Sequence, residues 1–129
     1  VAPYLGATGP RDETNQRIFT HVFVHRTHID IHGRFFPKAF KNYYSDDWIS
    51  HVYGTSSTFK LSSVRMKHET KAQKVDKIER YKPDHSASQK LGVEVEKGAV
   101  TTMKWLQERG HVAPVEAICG YAPLVELIA

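Results

Sequence analysis

The sequence lacks a second cysteine: Cys119 is the only one among 129 residues. No disulfide can therefore form within the chain, and a zinc site built on paired cysteines is excluded. A single thiol weakly favours a reducing compartment, and it is also compatible with a segment of a secreted protein.

Long apolar runs are missing as well. No stretch approaches the roughly 18 apolar residues of a transmembrane helix, and the start carries no basic-then-apolar signal segment. We therefore expect no membrane insertion by this segment. Because the sequence starts at Val1 rather than Met, we expect a processed product or an excerpt of a longer protein.

Acidic residues are fewer than basic ones, 14 against 18, which gives a formal net charge of +4. Much of the excess lies in residues 60–82. An ordinary solvated surface is the first interpretation of this region, and a nucleotide, a phosphate or a nucleic acid as ligand is the second. No basic motif with interleaved aromatic residues supports the nucleic-acid alternative.

Short strands and helices alternate along the chain, which predicts an α/β or α+β arrangement. Gly9 and Pro10 predict a turn after the first strand. Thr27 and Ser45 are the predicted N-caps, and Gly33 ends the first helix. The predicted strands are 5–10, 18–24 and 59–68, the last as one or two strands, and the predicted helices are 27–31, 45–53 and 86–109.

The chain is long enough for one domain or part of one, over residues 1–129. Residues 1–68 carry most of the candidate chemistry, 69–85 are a charged, exposed loop, and 86–129 are the C-terminal helical part. The apolar positions of the long helix recur at helical spacing and predict a packed face: Leu91, Val95, Ala99, Met103 and Leu106. Few strands for so much apolar sequence suggest that partner strands lie upstream.

Asp46 and Asp47 form the most suggestive site. Adjacent residues of a helix point about 100° apart, so the two carboxylates need not share a partner. One could accept a proton from an attacking hydroxyl while the other orients the acceptor. The structural alternative is that both acids only complement the dipole of the helix they open.

Histidines offer two further candidates. His68 ends an alternating strand face, where a neutral imidazole could bind a divalent cation with carboxylates from elsewhere; a hydrogen-bonded strand-end residue is the alternative. His25, His28 and His32 are close in sequence, but no third ligand is obvious, and we interpret them as structural.

Six aromatic residues lie close together in the sequence. They are interpreted mainly as core, with a platform for a sugar ring as the functional alternative. The six are Phe35, Phe36, Phe40, Tyr43, Tyr44 and Trp48.

Taken in order, these segments resemble the second half of inverting GT-A glycosyltransferases. In those families a strand ends in a basic or polar pair and is followed by a short helix, a Gly and an aromatic-Pro step; here residues 22–37 read VFVHRTHIDIHGRFFP. An acidic pair then opens a helix, as in YSDDWI at 44–49. A later strand ends in a histidine, as in VRMKH at 64–68. The resemblance covers roughly residues 5–68, about half of the chain.

The resemblance implies the C-terminal portion of a GT-A fold, with a nucleoside-diphosphate sugar as donor and a hydroxyl-bearing acceptor. One acid of the pair would be the catalytic base, and Asp47 is favoured because it is the second acid, next to the aromatic residue. His68 would be a ligand of Mn²⁺ or Mg²⁺. The implied substrate-binding residues are Trp48, Arg65 and Lys67, with Lys71 adding positive charge near the diphosphate.

One feature of those enzymes is missing: the Asp-x-Asp motif that follows their N-terminal nucleotide-binding sheet. We therefore expect either an excerpt, whose donor-binding half lies upstream, or a degenerate relative. The second possibility is a non-catalytic interaction module in a larger regulatory protein. A narrower likeness is to the glycosyltransferase-like region of the estrogen-induced growth-regulation protein and the DNA-base glucosyltransferases grouped with it.

Overall fold

The computed structural model describes residues 4–68 and 84–111. This part of the chain folds as a mixed α/β unit with a three-stranded sheet and three α-helices. The strands are β1 (Ala7–Asp12), β2 (Phe23–Val24) and β3 (Thr58–Met66); the helices are α1 (Thr27–His32), α2 (Ser45–His51) and α3 (Ser88–Glu108). Single 3₁₀ turns precede β3 and α3. The predicted mixed α/β class is confirmed at this level.

The sheet has the strand order β2-β1-β3, with β1 in the centre. β1 pairs antiparallel with β2 and parallel with β3, from Ala7 opposite Thr58 to Asp12 opposite Met66. Because parallel strands end at the same edge, the residues that follow β1 and β3 lie side by side. A hydrogen bond of 2.9 Å from Glu13 N to Met66 O continues the pairing beyond the strand ends.

The predicted turn at Gly9 and Pro10 is wrong, since both residues lie inside β1. Proline has no N–H to donate to a neighbouring strand. Pro10 is tolerated in β1 because β2 pairs only with the first two residues of β1, and because the pairing with β3 shifts register directly after Pro10. A Cβ on Gly9 would lie 2.2 Å from the carbonyl oxygen of His21. Glycine is therefore needed here for close approach of another segment and not for a turn.

The predicted strand 18–24 is also mostly wrong, because only Phe23–Val24 pairs in the sheet. The residues before Phe23 form a loop that is hydrogen-bonded to α2 and not to the sheet: Phe19 N donates to Ser50 Oγ at 2.8 Å. Side-chain pattern alone favours a strand here, and the competing tertiary hydrogen bond overrides it.

Gly33 ends α1 as predicted, α2 ends at His51 and not at the predicted residue 53, and both predicted N-caps are one residue off. Gly33 follows α1 with φ 71°, in the left-handed region that glycine adopts without strain. The N-caps are Arg26 and Tyr44, neither of which makes a side-chain cap bond, so Thr27 and Ser45 are the first helical residues instead.

α3 packs against α1 and α2 through the predicted face, of which Val95, Ala99 and Leu106 are buried. The contact with α2 is close, since a Cβ on Gly98 would lie 2.5 Å from Val52 Cγ2. The remaining core is contributed by all parts of the described fold: Ala7, Ile31, Phe40, Trp48, Ile49, Val52, Tyr53 and Ala87.

None of the described helices is long and apolar enough to cross a membrane. The predicted charged loop lies, except for its last two residues, in 69–83, outside the described residues. The apolar tail 114–129 also lies outside them.

Leu106→Ala should cost about 2–5 kcal/mol, because the side chain is 4% exposed and its removal leaves a cavity. Urea denaturation followed by circular dichroism measures the loss. The control is Val93→Ala on the same helix, which is 51% exposed and should cost less than about 0.5 kcal/mol. Equal effects of the two changes would contradict the packing of this helix face.

Candidate functional site

Four titratable side chains meet at the edge of the sheet where β1 and β3 end. They are Asp12, His21, Asp46 and His68, called here the acid–imidazole cluster. They come from four separate places: the end of β1, the loop before β2, the first turn of α2 and the residues after β3. The fold therefore joins parts of the chain that the sequence keeps far apart.

Asp12 is the buried anion of this cluster, with 2% of its surface exposed. Its Oδ1 accepts hydrogen bonds from Thr14 N at 2.7 Å and Asn15 N at 3.4 Å, and its Oδ2 accepts one from Thr20 Oγ1. Burial alone would raise the pKa of Asp12, but these hydrogen bonds and the charge of His68 together lower it below the ordinary 3.8. Asp12 is therefore ionised and ties the loop to the strand end.

Like His21, His68 is an exposed member of the cluster. Its Nδ1 lies 3.7 Å from Asp12 Oδ2, close enough for an electrostatic attraction and too far for a hydrogen bond. Its side chain is 42% exposed, and its ring meets the ring of His21 edge-on with the centroids 5.7 Å apart. The imidazole is thus near a fixed negative charge and still open to a ligand.

Asp46 brings the predicted acidic pair to the same place. Burial raises the pKa of Asp46 above the ordinary 3.8, as does the neighbouring carboxylate of Asp47, and the nearby His21 and His68 partly offset the rise. A carboxylate with a raised pKa is a stronger base than an ordinary one. The two acids therefore differ in surroundings, and Asp46 is the one coupled to the imidazoles.

Two contacts fix the loop that carries His21. Ser50 Oγ accepts from Phe19 N and donates to Asp46 O at 2.5 Å, which binds the loop to α2. On the other side, the His21 carbonyl rests against Gly9 of β1. The sequence analysis did not identify His21 or Asp12 as site residues. His21 lies in a predicted strand, and the only sequence feature that marks Asp12 is its position before loop-forming residues.

His68 was predicted to bind a metal ion together with carboxylates from elsewhere. Within residues 4–68 and 84–111, no group of three or more His, Cys, Asp or Glu side chains is arranged to hold a metal ion. The Asp12 oxygens are already occupied by three hydrogen bonds. His21 and His68 are the exposed imidazoles of the cluster, and His68 is the one predicted to supply a nitrogen to a metal.

The other predicted binding residues fall into two groups. Arg65 and Lys67 are exposed at the cluster end of β3, while Lys71 lies outside the described residues. Trp48 is 2% exposed and belongs to the core, and its Nε1 donates to Glu94 O at 2.9 Å. For Trp48 the structure therefore supports the core alternative over a sugar platform.

His28 and His32 have the structural role expected from the sequence. His28 is 2% exposed; its Nε2 donates to Phe35 O at 2.9 Å, so its Nδ1 accepts from the Tyr53 hydroxyl at 2.6 Å. The two imidazole rings lie 4.8 Å apart. Burial, and then the repulsion from His28, lowers the pKa of His32 to about 4.

Acid should destabilise the fold through this pair. An imidazole whose pKa is lower in the folded than in the unfolded chain takes up its proton more readily when unfolded, so stability falls as the pH drops from about 6.5 to about 4. His32→Gln should flatten that part of the stability profile, measured by urea denaturation at a series of pH values. His85→Gln is the exposed control, and an unchanged slope in His32→Gln would contradict the expectation.

No protein-family model, curated protein or solved structure matches this chain.

Proposed function

We propose that this chain is the acceptor-side, C-terminal portion of a GT-A glycosyltransferase domain, which moves a sugar from a nucleoside-diphosphate sugar to an acceptor hydroxyl. One observation carries the proposal: the acidic pair that opens α2 and the histidine that follows β3 lie in one cluster. The sequence resemblance assigns these two features to the same active site, although they are distant along the chain.

Asp46 is the base in this proposal. Its carboxylate takes the proton of the acceptor hydroxyl, the acceptor oxygen bonds to the anomeric carbon, and the bond to the diphosphate breaks with its electron pair leaving on the diphosphate. The raised pKa of Asp46 favours this role, because a better base removes the proton more readily. Asp47, favoured by the sequence pattern, is the alternative base.

His68 would supply one imidazole to a Mn²⁺ or Mg²⁺ ion, with the other ligands coming from the donor-binding half of the protein. The chemistry of such an ion is to offset the charge on the departing diphosphate. Arg65 and Lys67 place two exposed cations at the same end of β3 and would act on the same charge.

The second candidate is the non-catalytic interaction module, and the surface of β3 favours it. Phe59, Leu61 and Val64 of this edge strand are 52%, 44% and 51% exposed. Exposed apolar side chains grouped on one element are typical of a surface that another chain covers. The basic residues in 60–82 would then contact an acidic partner.

Release of nucleoside diphosphate by the longer parent protein tests the two candidates against each other. The parent should release diphosphate from at least one member of a panel of uridine and guanosine diphosphate sugars when a hydroxyl acceptor is supplied. Release that depends on the acidic pair of α2 supports the transferase. A folded parent without release from any donor would favour the interaction module.

The chain by itself should bind the same donors poorly, with dissociation constants above about 1 mM, because it has no complete donor site in this proposal. Isothermal titration calorimetry of residues 1–129 with each sugar nucleotide measures this. Micromolar binding by the chain alone would contradict the division of the site between two halves of a domain.

A further inference from the structure

A cleft lies between the C-terminal end of α1 and the middle of α3. It has a volume of about 350 Å³, and it shares no residue with the acid–imidazole cluster. The volume is at the lower end of the roughly 300–1,000 Å³ typical of small-molecule sites. A compact ligand would fit it.

Positive charge dominates the cleft. Arg34, Lys38 and Lys97 line it together with one carboxylate, Glu94, which forms an ion pair of 2.9 Å with Lys97. The cleft therefore has a surplus of two positive charges. No described side chain forms an ion pair with Arg34 or Lys38, so both are available to an anion.

The other polar side chains of the cleft wall already have hydrogen-bond partners within the protein, with one exception. Thr101 Oγ1 donates to Lys97 O at 2.8 Å, and Trp48 Nε1 donates to Glu94 O at 2.9 Å. His32 is the exception, since its Nε2 is buried without a hydrogen-bond partner among the described residues. A buried nitrogen without a partner is unfavourable, and a small adjustment that joined it to a ligand would relieve this.

An apolar part completes the cleft. Pro37 and Ala39 line it from the loop after α1, and the edge of Trp48 closes it from the core. The cleft thus combines cations that match an oxyanion with a surface that matches an apolar or aromatic group.

We propose that this cleft binds a phosphate monoester that carries an apolar or aromatic group. A monoester dianion matches the surplus of two positive charges, and an arginine fork binds phosphate oxygens in pairs. A nucleic-acid strand would need a longer basic track along the surface than one compact cleft provides.

Phenyl phosphate is the probe for this site. Inorganic phosphate and phenol are the control ligands, because each carries one of its two groups. Calorimetry with residues 1–129 should give a dissociation constant below about 1 mM for phenyl phosphate, weaker binding of phosphate and none of phenol. In a parallel nuclear magnetic resonance titration, the ring signals of His32 and the indole N–H signal of Trp48 should move with the same constant.

Variants inside and outside the cleft distinguish binding at this site from nonspecific attraction of an anion to a basic protein. The double variant Arg34→Gln, Lys38→Gln should weaken phenyl phosphate binding about tenfold or more, as expected when charged partners of a bound anion are lost. The single variants Lys38→Gln and Lys41→Gln are the matched pair, because each removes one positive charge from the same loop and only Lys38 lines the cleft. Lys41→Gln should change binding less than about twofold.

Three results would each overturn the proposal. They are the absence of any His32 shift with phenyl phosphate, equal weakening by Lys38→Gln and Lys41→Gln, and binding of phenol as tight as that of phenyl phosphate. If the double variant did not fold, the wild-type chain would still decide: raising NaCl from about 50 mM to 500 mM should weaken phenyl phosphate binding severalfold through screening. Binding insensitive to salt would count against an ionic site.

Discussion

Asp46→Asn should lower the turnover of the parent transferase by about 10²- to 10⁴-fold and change its melting temperature little. Loss of a general base has an effect of this size because the acceptor hydroxyl must then lose its proton without help. The amide keeps the shape of the side chain, so folding should be nearly unaffected. Turnover with a saturating donor and a melting curve on the same preparation separate chemistry from stability.

Asp47→Asn should behave differently if Asp46 is the base. An acid that only complements the helix dipole contributes about 0.3–1 kcal/mol of stability, and its loss should spare turnover. Asp30→Asn, an acid in the first turn of α1, is the matched control for that dipole effect. A selective loss in Asp47→Asn would keep the site and reverse the two roles, while wild-type turnover in both variants would favour the interaction module.

The pH profile gives a second readout of the same carboxylate. A base must be deprotonated to act, so kcat/KM should fall on the acid side as the pH drops through the pKa of Asp46, which burial and Asp47 raise above 3.8. Asp46→Asn should remove this acid limb from whatever activity remains. An unchanged limb in that variant would assign the titration to another group.

Local signals account for the parts of the fold that the sequence predicted. Alternating side chains indicated β3, a left-handed glycine ended α1, and apolar spacing identified the buried face of α3, because each depends on neighbours within one or two turns. Gly9 shows where such reasoning fails. Its role is contact with the His21 carbonyl twelve residues away, which no local pattern reveals.

The candidate site divides in the same way. Asp46 and His68 were predicted because each stands at the end of an element, where a side chain is presented at an edge of the fold. Asp12 and His21 were missed because their place in the cluster depends on the parallel pairing of β1 with β3 and on the loop anchored by Ser50. A single sequence does not show which distant strands pair with each other, so it could not place Asp12 beside His68.

Trp48→Ala should have the largest effect on stability, about 3–5 kcal/mol, because a nearly buried indole at the junction of α2 and α3 is lost. The indole fills the space beside Gly98, where an added Cβ would lie 3.1 Å from Trp48 Cζ2, and it also bonds to the backbone of α3. Domains of this size are stable by only about 5–15 kcal/mol, so the variant should be marginally folded.

Trp48→Phe should lie between the wild type and the alanine variant, because it keeps a ring in the core and loses the hydrogen bond to Glu94 O. Tyr43→Ala is the control, since that aromatic residue in the adjacent loop is 39% exposed. Urea denaturation of all three variants gives the free energies. A loss below about 1 kcal/mol in Trp48→Ala would mean that the indole contributes little to the core, and it would reopen the sugar-platform role. The expected large loss would instead explain why an aromatic residue directly follows the acidic pair: Trp48 anchors α2 to α3, and that anchor holds Asp46 at the edge of the sheet.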